Sequence, residues 1–115
     1  MSNYKLNELE IPLTFGCEQL GGTDWGKIDQ TEIKKAIHTA WDYGIRFFDT
    51  ADVYGLGRSE TELRKALGKS RHDAKIISKF GMRWQKIKNS KRAVITKDCS
   101  SEYIKIAIED SLKRL

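Results

Sequence analysis

Asp49, Tyr54 and Lys79 are the residues of this chain whose types and spacing could do chemistry together. Asp49 ends the run Gly44-Ile-Arg-Phe-Phe-Asp49, and Tyr54 follows in Thr-Ala-Asp-Val-Tyr54-Gly. A later apolar run with Ile76 and Ile77 gives way to Ser78-Lys79-Phe80-Gly81. A phenol has an unperturbed pKa of about 10 and is a weak proton donor at neutral pH. A neighbouring ammonium stabilises the phenolate and makes a tyrosine a better general acid. A carboxylate beside that ammonium keeps it charged and fixes its place. The three together suit protonation of a carbonyl oxygen while a hydride reaches the carbon. A buried tyrosine beside a structural ion pair would use the same residues, and spacing does not choose between the two.

Parallel α/β folds gather such groups at the carboxyl ends of their strands, and the sequence predicts the elements to do so. A short apolar run, Ile11 to Gly16, leads into a glycine-rich turn at Gly21 to Gly26, and residues 1–10 read as an extended segment or half of a hairpin. Asp29 with Glu32 three residues on marks a helix start. Ile33, Ala36, Ile37, Ala40 and Trp41 fall on one helical face, and Gly44 ends it. Ile45 to Ala51, with adjacent aromatics and no alternation, suits a strand buried on both sides. Ser59 with Glu62 predicts a capping box for a second helix carrying Leu63, Ala66 and Leu67 and ending at Gly68. Ala74 to Gly81 reads as a third strand. A long basic loop, Arg83 to Lys97, then leads to a third helix capped by Ser100, with Ile104, Ala107, Ile108, Leu112 and Leu115 on one face. This alternation predicts right-handed β-α-β units and a parallel sheet whose edges stay open.

Charged residues at 32% and apolar residues at 39% suit a globular chain. No apolar run approaches the about 20 residues of a membrane span, and the amino terminus lacks a signal-peptide core, so a cytoplasmic protein is expected. Cys17 and Cys99 have neither paired nor metal-ligand spacing and read as free thiols. The net charge of +5 is concentrated at Arg83, Lys86, Lys88, Lys91, Arg92 and Lys97. That segment matches no groove-reading motif and argues against a nucleic-acid partner; beside a cleft it would attract an anionic cofactor or substrate. Gly55-Leu56-Gly57-Arg58-Ser59 lacks the lysine of a P-loop and the third glycine of a dinucleotide fingerprint, so it reads as a tight turn that positions Tyr54. Trp25 and Trp84 lie in loops that would rim a pocket or cover apolar surface.

The stretch Gly44-Ile-Arg-Phe-Phe-Asp49-Thr-Ala-Asp-Val-Tyr54-Gly-x-Gly-x-Ser59-Glu60 closely resembles the signature of the aldo-keto reductases. The resemblance extends to Leu13-Thr-Phe-Gly-Cys17, Ser78-Lys79-Phe80-Gly81 and Ile108-Glu-Asp-Ser-Leu-Lys-Arg-Leu115. It implies the α/β class in the form of a partial (β/α)8 TIM barrel. Residues 1–115 would be its amino-terminal part, about the first three β-α units, truncated before strand 4.

The resemblance further implies an oxidoreductase that uses NADPH, or NADH, to interconvert small aldehydes or ketones and alcohols. It assigns Tyr54 as general acid, with Lys79 and Asp49 as its partners. The family's catalytic histidine would follow Leu115, in the fourth strand. His38, in the first helix, and His72, at the amino-terminal face of the sheet, do not replace it. Gly16, Cys17 and Asp49 would form the rim beneath the nicotinamide, with Glu18 beside them. Family members often carry threonine and an aromatic residue at the positions of Cys17 and Glu18. The main nucleotide-binding segment, after the seventh and eighth strands, is expected to be absent, and the isolated chain to be inactive. The alternative expectation is a non-catalytic fragment that docks on a partner, self-associates or complements a second half through its open sheet edges.

Overall fold

The computed structural model describes residues 12–90 and 92–115, so the expected extended segment over residues 1–10 lies outside the described residues. Strands β1 (Thr14–Gly16), β2 (Phe47–Asp49) and β3 (Lys75–Ile77) form a parallel sheet in that order. Helix α1 (Gln30–Asp42) links the first pair and α2 (Arg58–Leu67) the second, while α3 (Ser101–Arg114) follows a hairpin described below.

Register explains which side chains become core. Phe15, Phe48 and Ile76 stand in one row across the sheet, and Gly16, Asp49 and Ile77 in the next. Successive rows point to opposite faces. The phenylalanine row meets the helices: Phe48, Ile37 and Leu63 are fully buried, and Phe15, Ile76 and Trp41 pack against the same cluster. The Phe48 ring lies 5.9 Å from that of Phe15 and 6.4 Å from that of Trp41. The opposite face is uncovered, with Ile77 46% exposed. β2 was expected to be buried on both sides; it is buried on one, since no element among the described residues packs over the Asp49 row.

The caps follow their chemistry, with one correction. The Asp29 carboxylate accepts the amides of Thr31 and Glu32 at 2.9 and 3.3 Å, while Glu32 turns to Lys35 instead of reaching back. α1 ends against Gly44 at φ 93°. α2, however, has Gly57 as its N-cap, not Ser59. Ser59 sits inside the first turn, fully buried, and its hydroxyl donates to the Cys17 carbonyl at 2.6 Å. A partner across the sheet takes the hydroxyl that a capping box would have used. Glu62 pairs with Lys65. Ser100 does cap α3, accepting the Tyr103 amide at 3.2 Å.

The segment expected as a basic loop is a hairpin, β4 (Met82–Lys86) paired antiparallel with β5 (Ala93–Lys97). Its turn is closed by the Ser90 amide on the Ile87 carbonyl, with Asn89 left-handed at φ 60°. The apolar stripe of α3 is covered only in part. Tyr103 and Ala107 are buried and Leu115 packs on the core, but Ile108 and Leu112 are 49% and 71% exposed. They line a groove of about 190 Å³ with Phe80 and Ala107. Among the described residues no helix is long and apolar enough to cross a membrane.

Candidate active site

The three chemically promising residues converge. Asp49 closes β2, and its carbonyl accepts the Cys17 amide at 2.8 Å, which holds the end of β1 beside it. The β2–β3 pairing continues past the strands through the Thr50 amide on the Ile77 carbonyl and the Asp52 amide on the Lys79 carbonyl. Lys79 is thereby aimed back across the end of β2. Its Nζ donates to Asp49 Oδ1 at 2.5 Å and to the Thr50 carbonyl at 2.7 Å. The same Nζ lies 5.2 Å from the centre of the Tyr54 ring. Burial alone would lower the lysine pKa, but the Asp49 hydrogen bond, the facing Tyr54 and the Asp49 charge outweigh it and raise it. Lys79 therefore stays a cation at neutral pH, held by a carboxylate on one side and facing a phenol on the other.

A network beneath the site fixes its floor. The Ser59 proton goes to the Cys17 carbonyl, so across the 2.8 Å contact between the two hydroxyls Thr50 must donate to Ser59. Thr50 and Ser59 are both fully buried. Thr50 was not singled out by sequence, and Ser59 only as a helix cap, because hydroxyl residues in a turn carry no periodic signal that points to a partner across the fold.

Tyr54 is placed by the turn that follows it. Gly55, Leu56 and Gly57 are left-handed in succession, at φ 60°, 54° and 88°. The turn lies directly on the glycine-rich loop: a Cβ at Gly55 would stand 2.3 Å from the Gly21 carbonyl oxygen. Both elements are backbone, so neither can yield cheaply. Gly55→Ala should cost about 2–4 kcal/mol from the left-handed backbone and the clash together. Gly26→Ala, at φ 78° with nothing within 4 Å, should cost only about 1 kcal/mol. Urea denaturation of the two variants checks this, and equal losses would refute the contact.

The expected cofactor-rim residues are placed differently from one another. Gly16 is exposed at the end of β1 with open space where a Cβ would project. Asp49 keeps 37% of its side chain exposed despite its bond to Lys79. Cys17 is 1% exposed and packs with Leu20, Phe48 and Leu63, so its thiol faces the core and not the rim. Burial first, and then the Asp49 charge against that of Lys79, pushes this thiol up to about 12, and it stays protonated at neutral pH. Of the two histidines, His38 bonds the Ala66 carbonyl through Nε2 at 2.7 Å and ties α1 to α2. His72 lies in the turn before β3.

The hairpin contributes a wall that sequence reasoning missed. Ala93 and Ile95 of β5 line a cleft of about 420 Å³ with Glu18, Asp24, Val53 and Tyr54. Trp84, opposite Ile95 in the register, is half-buried in a second cleft beside Asp52, Tyr103 and Arg114. Trp25 is 60% exposed.

Asp52 is buried next to Glu60, and its pKa is raised, first by burial and then by the Glu60 charge, with Arg114 opposing. A carboxyl whose folded pKa is raised favours the fold at low pH and loses that contribution as pH rises through the folded value. Asp52→Asn removes the loss. The variant should therefore be more stable than wild type at pH 7, and the gain should vanish as pH falls toward the ordinary aspartate value. Paired urea titrations at neutral and acid pH would show this, and a pH-independent difference would contradict it.

Comparison with known proteins bears on the family and the fold. The family model described as the aldo/keto reductase family matches residues 12–115. The aldo-keto reductase YhdN of Bacillus subtilis is 33% identical over 105 residues, covering 87% of this chain and 29% of that protein. The structure of a glycerol dehydrogenase from Gluconobacter oxydans superposes with a TM-score of 0.75 at 33% identity, over 92% of this chain and 34% of the other. An aldo-keto reductase from Bacillus halodurans in its holo form gives 0.73 at 33% identity, over 97% and 35%. The chain thus spans about a third of the length of the proteins it matches. Its three parallel strands are part of a TIM barrel, as in those relatives. Signature, fold and match over residues 12–115 agree: the chain belongs to the aldo-keto reductase family.

Proposed function

We propose that this chain supplies the proton-donating half of a nicotinamide-dependent carbonyl reductase site, with Tyr54 as general acid. The observation that carries the reading is the position of Lys79 Nζ, bonded to Asp49 and the Thr50 carbonyl and facing the Tyr54 ring at 5.2 Å. Tyr54 Oη gives its proton to the carbonyl oxygen of a small aldehyde or ketone. The Lys79 ammonium stabilises the phenolate left behind, and Asp49 prevents that ammonium from drifting away. In the oxidative direction the phenolate takes the alcohol proton back.

Gly16 and Asp49 fit the nicotinamide end of NADPH or NADH, since the open space at Gly16 admits a flat ring close to backbone beside the exposed Asp49 edge. When bound, the reduced nicotinamide supplies the hydride. The adenosine and phosphate end needs residues beyond those of this chain, which is why the 115 residues alone are expected to show no turnover. The experiment is an NADPH-oxidation assay with 4-nitrobenzaldehyde. It compares the chain alone with a chimera in which residues 12–115 replace the matching third of the Gluconobacter oxydans enzyme. Turnover by the chimera only supports the reading. A folded chimera without turnover would sink it.

A second reading rests on the exposed Ile77, Ile108 and Leu112: the chain associates through its uncovered faces. A defined dimer or hetero-complex in light scattering supports association; a monodisperse 13.2 kDa species contradicts it.

A further inference from the structure

Glu60 is fully buried in the first turn of α2 and does not reach the Tyr54 cleft. Both of its carboxylate oxygens are nevertheless used. Oε2 accepts Arg114 Nε from α3 at 2.5 Å, and Oε1 accepts the Ser78 hydroxyl at 2.6 Å. A tie between two helices would need only the first of these bonds, and well-packed apolar residues would often serve as well or better. The second bond points elsewhere. Ser78 lies just past β3 and immediately before Lys79, on the backbone from which the Lys79 side chain departs.

We propose that Glu60 is a positioning residue for Lys79: braced by Arg114 and acting through Ser78, it fixes the exit of β3 so that Lys79 Nζ meets both Asp49 and the Thr50 carbonyl. The next turn is clamped too, because the Asp52 amide holds the Lys79 carbonyl at 3.3 Å and the Gly57 amide holds the Asp52 carbonyl at 2.8 Å. The side chain therefore leaves a backbone tethered on both sides of its Cα. This inference rests on the reading that Lys79 serves Tyr54, but its test needs no turnover.

The experiment is competitive acetylation of the lysines with acetic anhydride at fixed pH, read peptide by peptide. Lys35, an exposed lysine paired within its own helix, serves as the internal reference. Wild type, Ser78→Ala, Ser78→Thr and Glu60→Gln are compared, with circular dichroism to confirm the fold. In wild type Lys79 should react more slowly than Lys35. Ser78→Ala, folded, should raise Lys79 reactivity about three- to tenfold, since each unit of lost pKa shift is tenfold in free amine. Ser78→Thr keeps a hydroxyl and should stay near wild type, and Glu60→Gln should follow Ser78→Ala. An unchanged Lys79 rate in folded Ser78→Ala would overturn the proposal even if Glu60→Gln failed to fold. A wild-type Lys79 as reactive as Lys35 would overturn the Asp49–Lys79–Tyr54 constellation itself, and the positioning role with it.

Discussion

Arg114→Met should cost about 3–5 kcal/mol of stability, the range for stranding one member of a buried ion pair. The partner left behind is Glu60, with no solvent exposure and only the Ser78 hydroxyl to face it. Nearby, the buried Asp52 adds a second carboxyl that Arg114 also offsets. Methionine fills much of the arginine stem, which lies against Gly57, so the loss reports charge more than volume. Domains of this size have about 5–15 kcal/mol to lose, and the variant will unfold at far lower urea or lack a folded baseline. Adding Glu60→Gln should restore most of the loss, because an amide leaves no charge uncompensated. A midpoint unchanged by Arg114→Met, or a double variant worse than the single, would contradict the account.

That ion pair was not legible in the sequence, although both residues lie in stretches that resemble the family signature. Glu60 and Arg114 are 54 positions apart, and nothing in a charge pattern says that a first-turn glutamate is fully buried. The helices were legible because periodicity is local: Ile37 and Ala40 of α1, and Leu63, Ala66 and Leu67 of α2, are all buried. Caps were legible where the polar side chain had no better partner, as at Asp29 and Ser100. They were misread at Ser59, whose hydroxyl is claimed by a carbonyl 42 positions away. The hairpin was missed because the basic residues gathered around its turn, Lys86, Lys88, Lys91 and Arg92, hid the β-prone run Val94-Ile-Thr. The convergence of Asp49 and Lys79 followed from strand ends alone, once a parallel sheet was inferred. The approach of Gly55 to Gly21 did not, since it depends on how two turns stack.

The second large effect is expected at Tyr54. Tyr54→Phe removes one hydroxyl from a ring already packed in its turn, so the fold should hold. If the hydroxyl is the proton donor, its loss removes a contribution of about 10²–10⁴-fold. Lys79 would keep its bonds to Asp49 and the Thr50 carbonyl and would still present its charge, but the phenolic proton donor would be gone. Substrate and cofactor affinity should change little, because the phenol acts in the transition state and not in binding.

The most direct measurement is kcat for NADPH-dependent reduction of 4-nitrobenzaldehyde by the completed chimera, with Tyr54 and with Tyr54→Phe. The account predicts a fall of about 10²–10⁴-fold with KM nearly constant. A folded Tyr54→Phe chimera that keeps its kcat would contradict the assignment of Tyr54 as the general acid.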